Sequence, residues 1–115
     1  MTLDRVREVC MSFPGVTEGI KWEDHFCFMV ADKMFCITGE FCGASIKVTP
    51  EEFDELIERD GIKSTAYMAR NKWVNIEFNK MKPKEWGYYL NQSYALISSK
   101  LPKKVREGLL KQGNS

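Results

Sequence analysis

Hydrophobic and polar residues alternate through the middle of the chain. Phe26, Phe28 and Val30 take every second position, and the same period of two returns after a short apolar run. That period is typical of β-strands with one buried face. The pattern predicts three consecutive strands, over 26–30, 34–38 and 44–48.

A further alternation begins at Trp73. Val74, Ile76 and Phe78 lie on one side of an extended chain, and Trp73 lies on the other. Two more strands are therefore predicted, over 62–64 and 73–78.

Capping residues and apolar residues spaced three to four apart predict the helices. The signals for helix starts are Thr2, the capping box of Thr49 with Glu52, and Pro83. Helices are expected over 3–13, 50–60, 83–99 and 103–111, whereas 17–25 is expected to be a polar connector that Trp22 attaches to the core.

This order of elements, α-β-β-β-α-β-β-α-α, predicts an α+β fold in two layers, with an antiparallel sheet and the helices on one face. The 115 residues are expected to form one domain over 1–112, with a frayed tail at 113–115. No apolar run approaches the roughly 18 residues of a membrane span, and the N-terminus lacks the apolar core of a signal peptide. A cytoplasmic protein without a membrane partner is expected.

Four cysteines, Cys10, Cys27, Cys36 and Cys42, raise the question of a metal site. None forms a Cys-x-x-Cys pair, and His25 is the only histidine. Because a zinc site needs clustered Cys and His ligands, the cysteines are predicted to be reduced, small apolar residues. No metal or other cofactor is expected.

The charges divide unevenly between the two parts of the chain. Residues 1–61 hold six basic and thirteen acidic residues, a net charge of −7, whereas residues 62–115 hold eleven basic and three acidic residues, a net charge of +8. Such an asymmetry suggests a charged partner, or two halves that neutralise each other in the fold or in a dimer.

Several short pieces of sequence occur in order over most of the chain. They are Phe13-Pro14-Gly15-Val16-Thr17-Glu18, Trp22 with Phe26, Val30 through Lys33-Met34-Phe35, Tyr67, Trp73, Ser93-Tyr94, and Lys100-Leu101-Pro102-Lys103-Lys104. This ordered set resembles the MmcQ/YjbR family. The resemblance implies a CyaY-like fold, α-β(3)-α-β(2)-α in two layers, and the family is commonly described as DNA-binding. Lys72 stands where that family often has His, so no acid–base or metal role of that His is carried over.

These observations lead to the hypothesis of a DNA- or RNA-binding protein that does not read sequence. Lysine and arginine bind phosphates, and exposed aromatic rings stack on bases. The residues expected to share a basic, aromatic surface on the sheet and its loop, with the last two in the basic tail, are Lys47, Lys63, Tyr67, Arg70, Lys72, Trp73, Lys103 and Lys104. No helix-turn-helix, zinc-finger or RNP signature is present, so base-specific reading is not expected.

The alternative is a protein-interaction or adaptor module, of which a homodimer is one form. Complementary acidic and basic parts suit such a role. The first predicted strand is also apolar on its second side, with Cys27 and Met29, which predicts that part of the second face of the sheet is covered. An enzyme is not expected, because His25 has no nucleophile arranged with it. The carboxylates of the helix that follows Thr49 are interpreted as a solvated polar face.

Overall fold

The computed structural model describes residues 1–21, 25–38, 43–65 and 72–113, except the side chains of Lys21, His25 and 110–113. The elements along the chain are α1 (Leu3–Met11), β1 (Val16–Lys21), β2 (His25–Val30), β3 (Lys33–Thr38), β4 (Gly43–Lys47), α2 (Pro50–Leu56), β5 (Ile62–Ser64), β6 (Trp73–Glu77), a short 3₁₀ turn (Phe78–Lys80), α3 (Pro83–Ser98) and α4 (Lys103–Gly113). Thr2 and Thr49 cap α1 and α2 as expected, and Thr49 with Glu52 forms the capping box.

All strand pairs are antiparallel, in the order β1-β2-β3-β4-β6-β5. One face carries the core, in which Phe28, Ile46 and Ile76 of the sheet cluster with Val6 of α1 and Leu90 of α3. The predicted α+β class, with helices packed on one face of an antiparallel sheet, is confirmed.

The sheet has a strand that the sequence analysis assigned to a connector. β1 pairs with β2 along its whole length, from Val16 opposite Val30 to Lys21 opposite His25. The alternation was hidden because the middle position on the helix-facing side is Glu18, whose carboxylate forms an ion pair with Arg7 of α1. A charged residue can occupy that face here because its partner lies on the helix above it. Trp22, by contrast, lies outside the described residues.

β3 has a bulge in its pairing with β2, and its ladder with β4 ends at the neighbouring residue, Cys36. Phe28 lies opposite Cys36 but Met29 lies opposite Met34, so Phe35 is the extra residue. Its ring turns into the core against Phe13 and Tyr94, with centroids 6.1 and 5.4 Å away. A residue without a cross-strand partner leaves its carbonyl to be satisfied by something other than the ladder.

Ser93 of α3 supplies that partner. The register of β3 with β4, in which Cys36 lies opposite Ile46, would continue to Phe35 opposite Lys47. Instead the Ser93 hydroxyl donates to the Phe35 carbonyl at 2.5 Å and accepts the Lys47 N–H at 3.0 Å. One buried hydroxyl therefore bridges the two strands where their ladder opens, and α3 is attached to β3 and β4 at that point.

The second face of the sheet is also buried at its centre. Cys27, Ile37, Ser45 and Trp73 are at most 5% exposed and do not belong to the main core cluster. Ser45 accepts hydrogen bonds from Thr65 and from the Asn75 amide, both at 3.1 Å. This agrees with the expectation that the face is partly covered.

The described cysteines are consistent with an apolar role. Cys10, Cys27 and Cys36 are free and buried, while Cys42 lies outside the described residues. A hydrogen bond with Cys10 is the main cause that raises the pKa of the Cys36 thiol, and burial is the second. Such a thiol is a poor nucleophile.

Candidate nucleic-acid interface

Trp73 does not present an open ring. It begins β6 opposite Lys47 and is 5% exposed. The alternation correctly placed Trp73 and Val74 on opposite faces of β6. The face away from the helices, however, is buried at Trp73. The expectation that the Trp73 indole stacks on bases is therefore wrong, because base stacking requires an accessible ring face.

The side chain of Lys47 lies close enough to Lys100 for their charges to interact. Lys47 is the last residue of β4, and Lys100 follows the C-cap of α3 at Ser99. The pKa of the Lys47 ammonium is lowered, first because partial burial removes water from it and then because the Lys100 amine lies beside it. A nearby like charge disfavours the charged form, and groups with perturbed pKa values cluster at functional sites.

Lys72 precedes Trp73, the residue opposite Lys47, and has a strained backbone. Its φ is 62°, in the left-handed region that residues with side chains rarely adopt. Its carbonyl accepts the N–H of Val48 at 2.9 Å, and its ammonium lies 4.7 Å from the centre of the Phe53 ring on α2. The hydrogen bond and the cation–π contact hold Lys72 beside the end of β4.

The basic tail begins at the same place. Lys103 and Lys104 are exposed in the first turn of α4, only a few residues after Lys100. We use the term lysine edge for five residues at or after the ends of β4 and α3, or beside the end of β4, namely Lys47, Lys72, Lys100, Lys103 and Lys104.

The other expected site residues are not part of this arrangement. Lys63 is exposed on the edge strand β5, opposite Asn75 and beyond β6 from Lys47. Tyr67 and Arg70 lie outside the described residues. Lys100 was not among the predicted site residues, because nothing in its spacing indicates that it lies close to a strand far earlier in the chain.

Ion pairs neutralise several other cations. Arg5 pairs with Glu8, Arg7 with Glu18, Arg59 with Glu85 and Lys80 with Asp60. Across the described ranges, no carboxylate lies within 4 Å of a lysine-edge amine. The lysine edge is therefore a group of cations without neutralising partners in the part of the chain that the structure describes.

Two further observations limit the chemistry of the described residues. They contain no group of three His, Cys, Asp or Glu side chains that could hold a metal ion. None of their helices is both long and apolar enough to cross a bilayer.

The fold and the lysine edge define an α+β protein with a cationic end. The family model named YjbR matches residues 11–96, which is most of the chain. The chain belongs to the YjbR family. A search of curated proteins finds no match.

Proposed function

We propose that this protein binds nucleic acid through the phosphate backbone, with the lysine edge as the contact surface. The observation that carries the proposal is that no carboxylate of the described residues lies within 4 Å of a lysine-edge amine, whereas several other cations of the fold have ion-pair partners. A phosphate oxygen beside these amines would offset their mutual repulsion and supply the charge that their surroundings lack.

The surface suits backbone contact rather than base reading. A lysine ammonium is a compact charge that binds a phosphate without fixed geometry. Affinity from such contacts is sequence-independent and falls steeply with salt.

The test is a fluorescence-anisotropy titration of labelled DNA and RNA between about 50 and 200 mM salt. We expect micromolar or tighter binding at low salt. The double variant Lys47→Ala/Lys100→Ala should lower the slope of log K against log salt by roughly 0.7 for each phosphate no longer neutralised on a single strand, or 0.9 on a duplex. Lys63→Ala is the matched control, and it should bind like the wild type.

Two results would contradict the proposal: no binding at low salt, or an equal loss of affinity in Lys63→Ala. An interaction module without nucleic acid would then be the better hypothesis. Light scattering and co-purification would test it, through self-association or a bound protein.

A further inference from the structure

We infer that the nucleic acid bound is single-stranded and that a base stacks on Tyr88 of α3. This inference rests on the proposed function and specifies its ligand. It follows from the outward face of α3, which the sequence analysis did not single out because Tyr88 falls outside the helix's apolar spacing.

The outward face of α3 forms a continuous exposed row. Its members, the α3 stripe, are Lys84, Tyr88, Asn91, Ala95 and Ser99, all exposed and spaced three or four residues apart. At 1.5 Å per residue the stripe is about 22 Å long. It begins with a lysine and ends one residue before Lys100, so it leads directly to the lysine edge.

Tyr88 is the exposed aromatic residue in the described part of the chain. It is 58% exposed, and its ring packs edge-on against Tyr89 with centroids 5.0 Å apart at 82°. The contact fixes the ring while leaving much of it open, which reduces the entropy lost when a base stacks on it. Stacking on aromatic rings is how proteins commonly bind unpaired bases.

Few carboxylates along the α3 stripe would repel a bound phosphate. The stripe itself has none, and the only one in α3 is Glu85, which is paired with Arg59 at 2.9 Å. Glu52 of α2 accepts the Tyr88 hydroxyl at 3.4 Å, and its other oxygen accepts the N–H and the hydroxyl of Thr49. This carboxylate contacts the hydroxyl end of Tyr88, so it does not cover the ring.

The position of α3 favours a single strand over a duplex. α1 packs against one side of α3, and α2 contacts Tyr88 from another. A helix read in the major groove must enter a channel about 12 Å wide and 8.5 Å deep. Only a narrow stripe of α3 is open, whereas an unpaired strand can lie along such a stripe with its bases turned toward the protein.

The experiment compares three labelled probes of about 15 nucleotides, within the range of single-strand site sizes. They are a mixed-sequence single strand, its duplex, and a strand in which abasic sites replace the bases. The wild type should bind the intact strand most tightly. Tyr88→Ala should weaken that binding by at least about fivefold while leaving the other two probes within about twofold.

Tyr88→Phe keeps the ring and should retain wild-type affinity. Ile20→Ala is the matched control, because Ile20 is 66% exposed on β1, outside the stripe and the lysine edge. Circular dichroism should show both Tyr88 variants folded.

The outcomes separate the two proposals. If the wild type binds none of the probes, the proposed function fails. If it binds them through Lys47 and Lys100 but Tyr88→Ala has no effect, or weakens the abasic and duplex probes equally, the proposed function stands and this inference is wrong. Tighter binding of the duplex, or an equal loss of affinity in Ile20→Ala, would also overturn it.

Discussion

At the scale of single residues, Ser93 shows how one side chain connects the core to the cationic end. Its hydroxyl joins the carbonyl of the bulged Phe35 to the N–H of Lys47. It is fully buried, so water cannot replace it. The same contact fixes the end of β4, where Lys47 lies close to Lys100.

Ser93→Ala should therefore destabilise the fold. Removing the hydroxyl leaves a part-buried donor and a buried acceptor without their partner, which costs about 1–3 kcal/mol in free energy of unfolding. Urea denaturation would measure it. Ser98→Ala on the same helix should change little, since the Ser98 hydroxyl makes only an exposed local bond to Ala95. Equal stabilities of the two variants would show that the bridge contributes nothing.

Single residues also show where sequence reasoning ends. Spacing placed Trp73 on the side of β6 away from the helices, and the register confirms that position. Its burial could not be predicted, because burial depends on what covers that face. The proximity of Lys47 to Lys100 relates a strand end to a helix end, and no local pattern encodes such a pairing.

At the scale of elements, caps and apolar spacing were sufficient to predict where the helices start, because both signals are local. The predicted ends of α1 and α2 were too late, since α1 ends at Met11 and α2 at Leu56. The starts of α2 and α3 lie at Pro50 and Pro83 as expected. β1 was missed because it depends on a charge pair with α1. Glu18 is of a residue type common in loops, and only its ion pair with Arg7 of α1 explains its place in this strand.

An ion pair also joins the segment after α2 to the start of α3, and it makes stability depend on pH. The hydrogen bond from Arg59 is the main cause that lowers the pKa of Glu85. Because this pKa is lower in the folded than in the unfolded chain, the ionised carboxylate stabilises the fold. That contribution is complete above the unfolded value of about 4.3 and is lost as the pH falls through the folded value.

Glu85→Gln should accordingly lower stability at about pH 7 and have a smaller effect at about pH 3. Both partners are more than a third exposed, so the change should stay below about 1 kcal/mol. Urea unfolding at the two pH values measures it. Glu55→Gln, an exposed carboxylate of α2 outside the four ion pairs of the described residues, is the control. A deficit that is larger in acid would contradict the assignment.

At the scale of the whole molecule, the basic excess of residues 62–115 does not form one surface. Part of it is neutralised, as in the pair of Lys80 with Asp60. Lys103 and Lys104 are not, and they occupy the first turn of α4, where the helix dipole favours acidic residues. Their position is unfavourable for the helix.

Lys103→Glu/Lys104→Glu should therefore move stability and binding in opposite directions. Acidic residues in the first turn should leave the melting temperature unchanged or raise it, with a gain of about 0.3–1 kcal/mol for each. Nucleic-acid affinity should fall, and the salt slope should decrease by roughly 0.7 for each single-strand phosphate that the variant no longer neutralises. Thermal melting and anisotropy measure the two effects, with Lys63→Glu as a single charge-reversal control outside the lysine edge. Unchanged binding would remove α4 from the interface.

The boundary of the family match lies inside the lysine edge. Lys47 and Lys72 fall within residues 11–96, whereas Lys100, Lys103 and Lys104 follow them. A homologue that shared the matched segment but continued with different residues would keep the architecture. It would have the amine of Lys47 but not that of Lys100. Membership of the family would then predict the scaffold without predicting the ligand, so extending a function from one member to another should depend on the residues that follow α3.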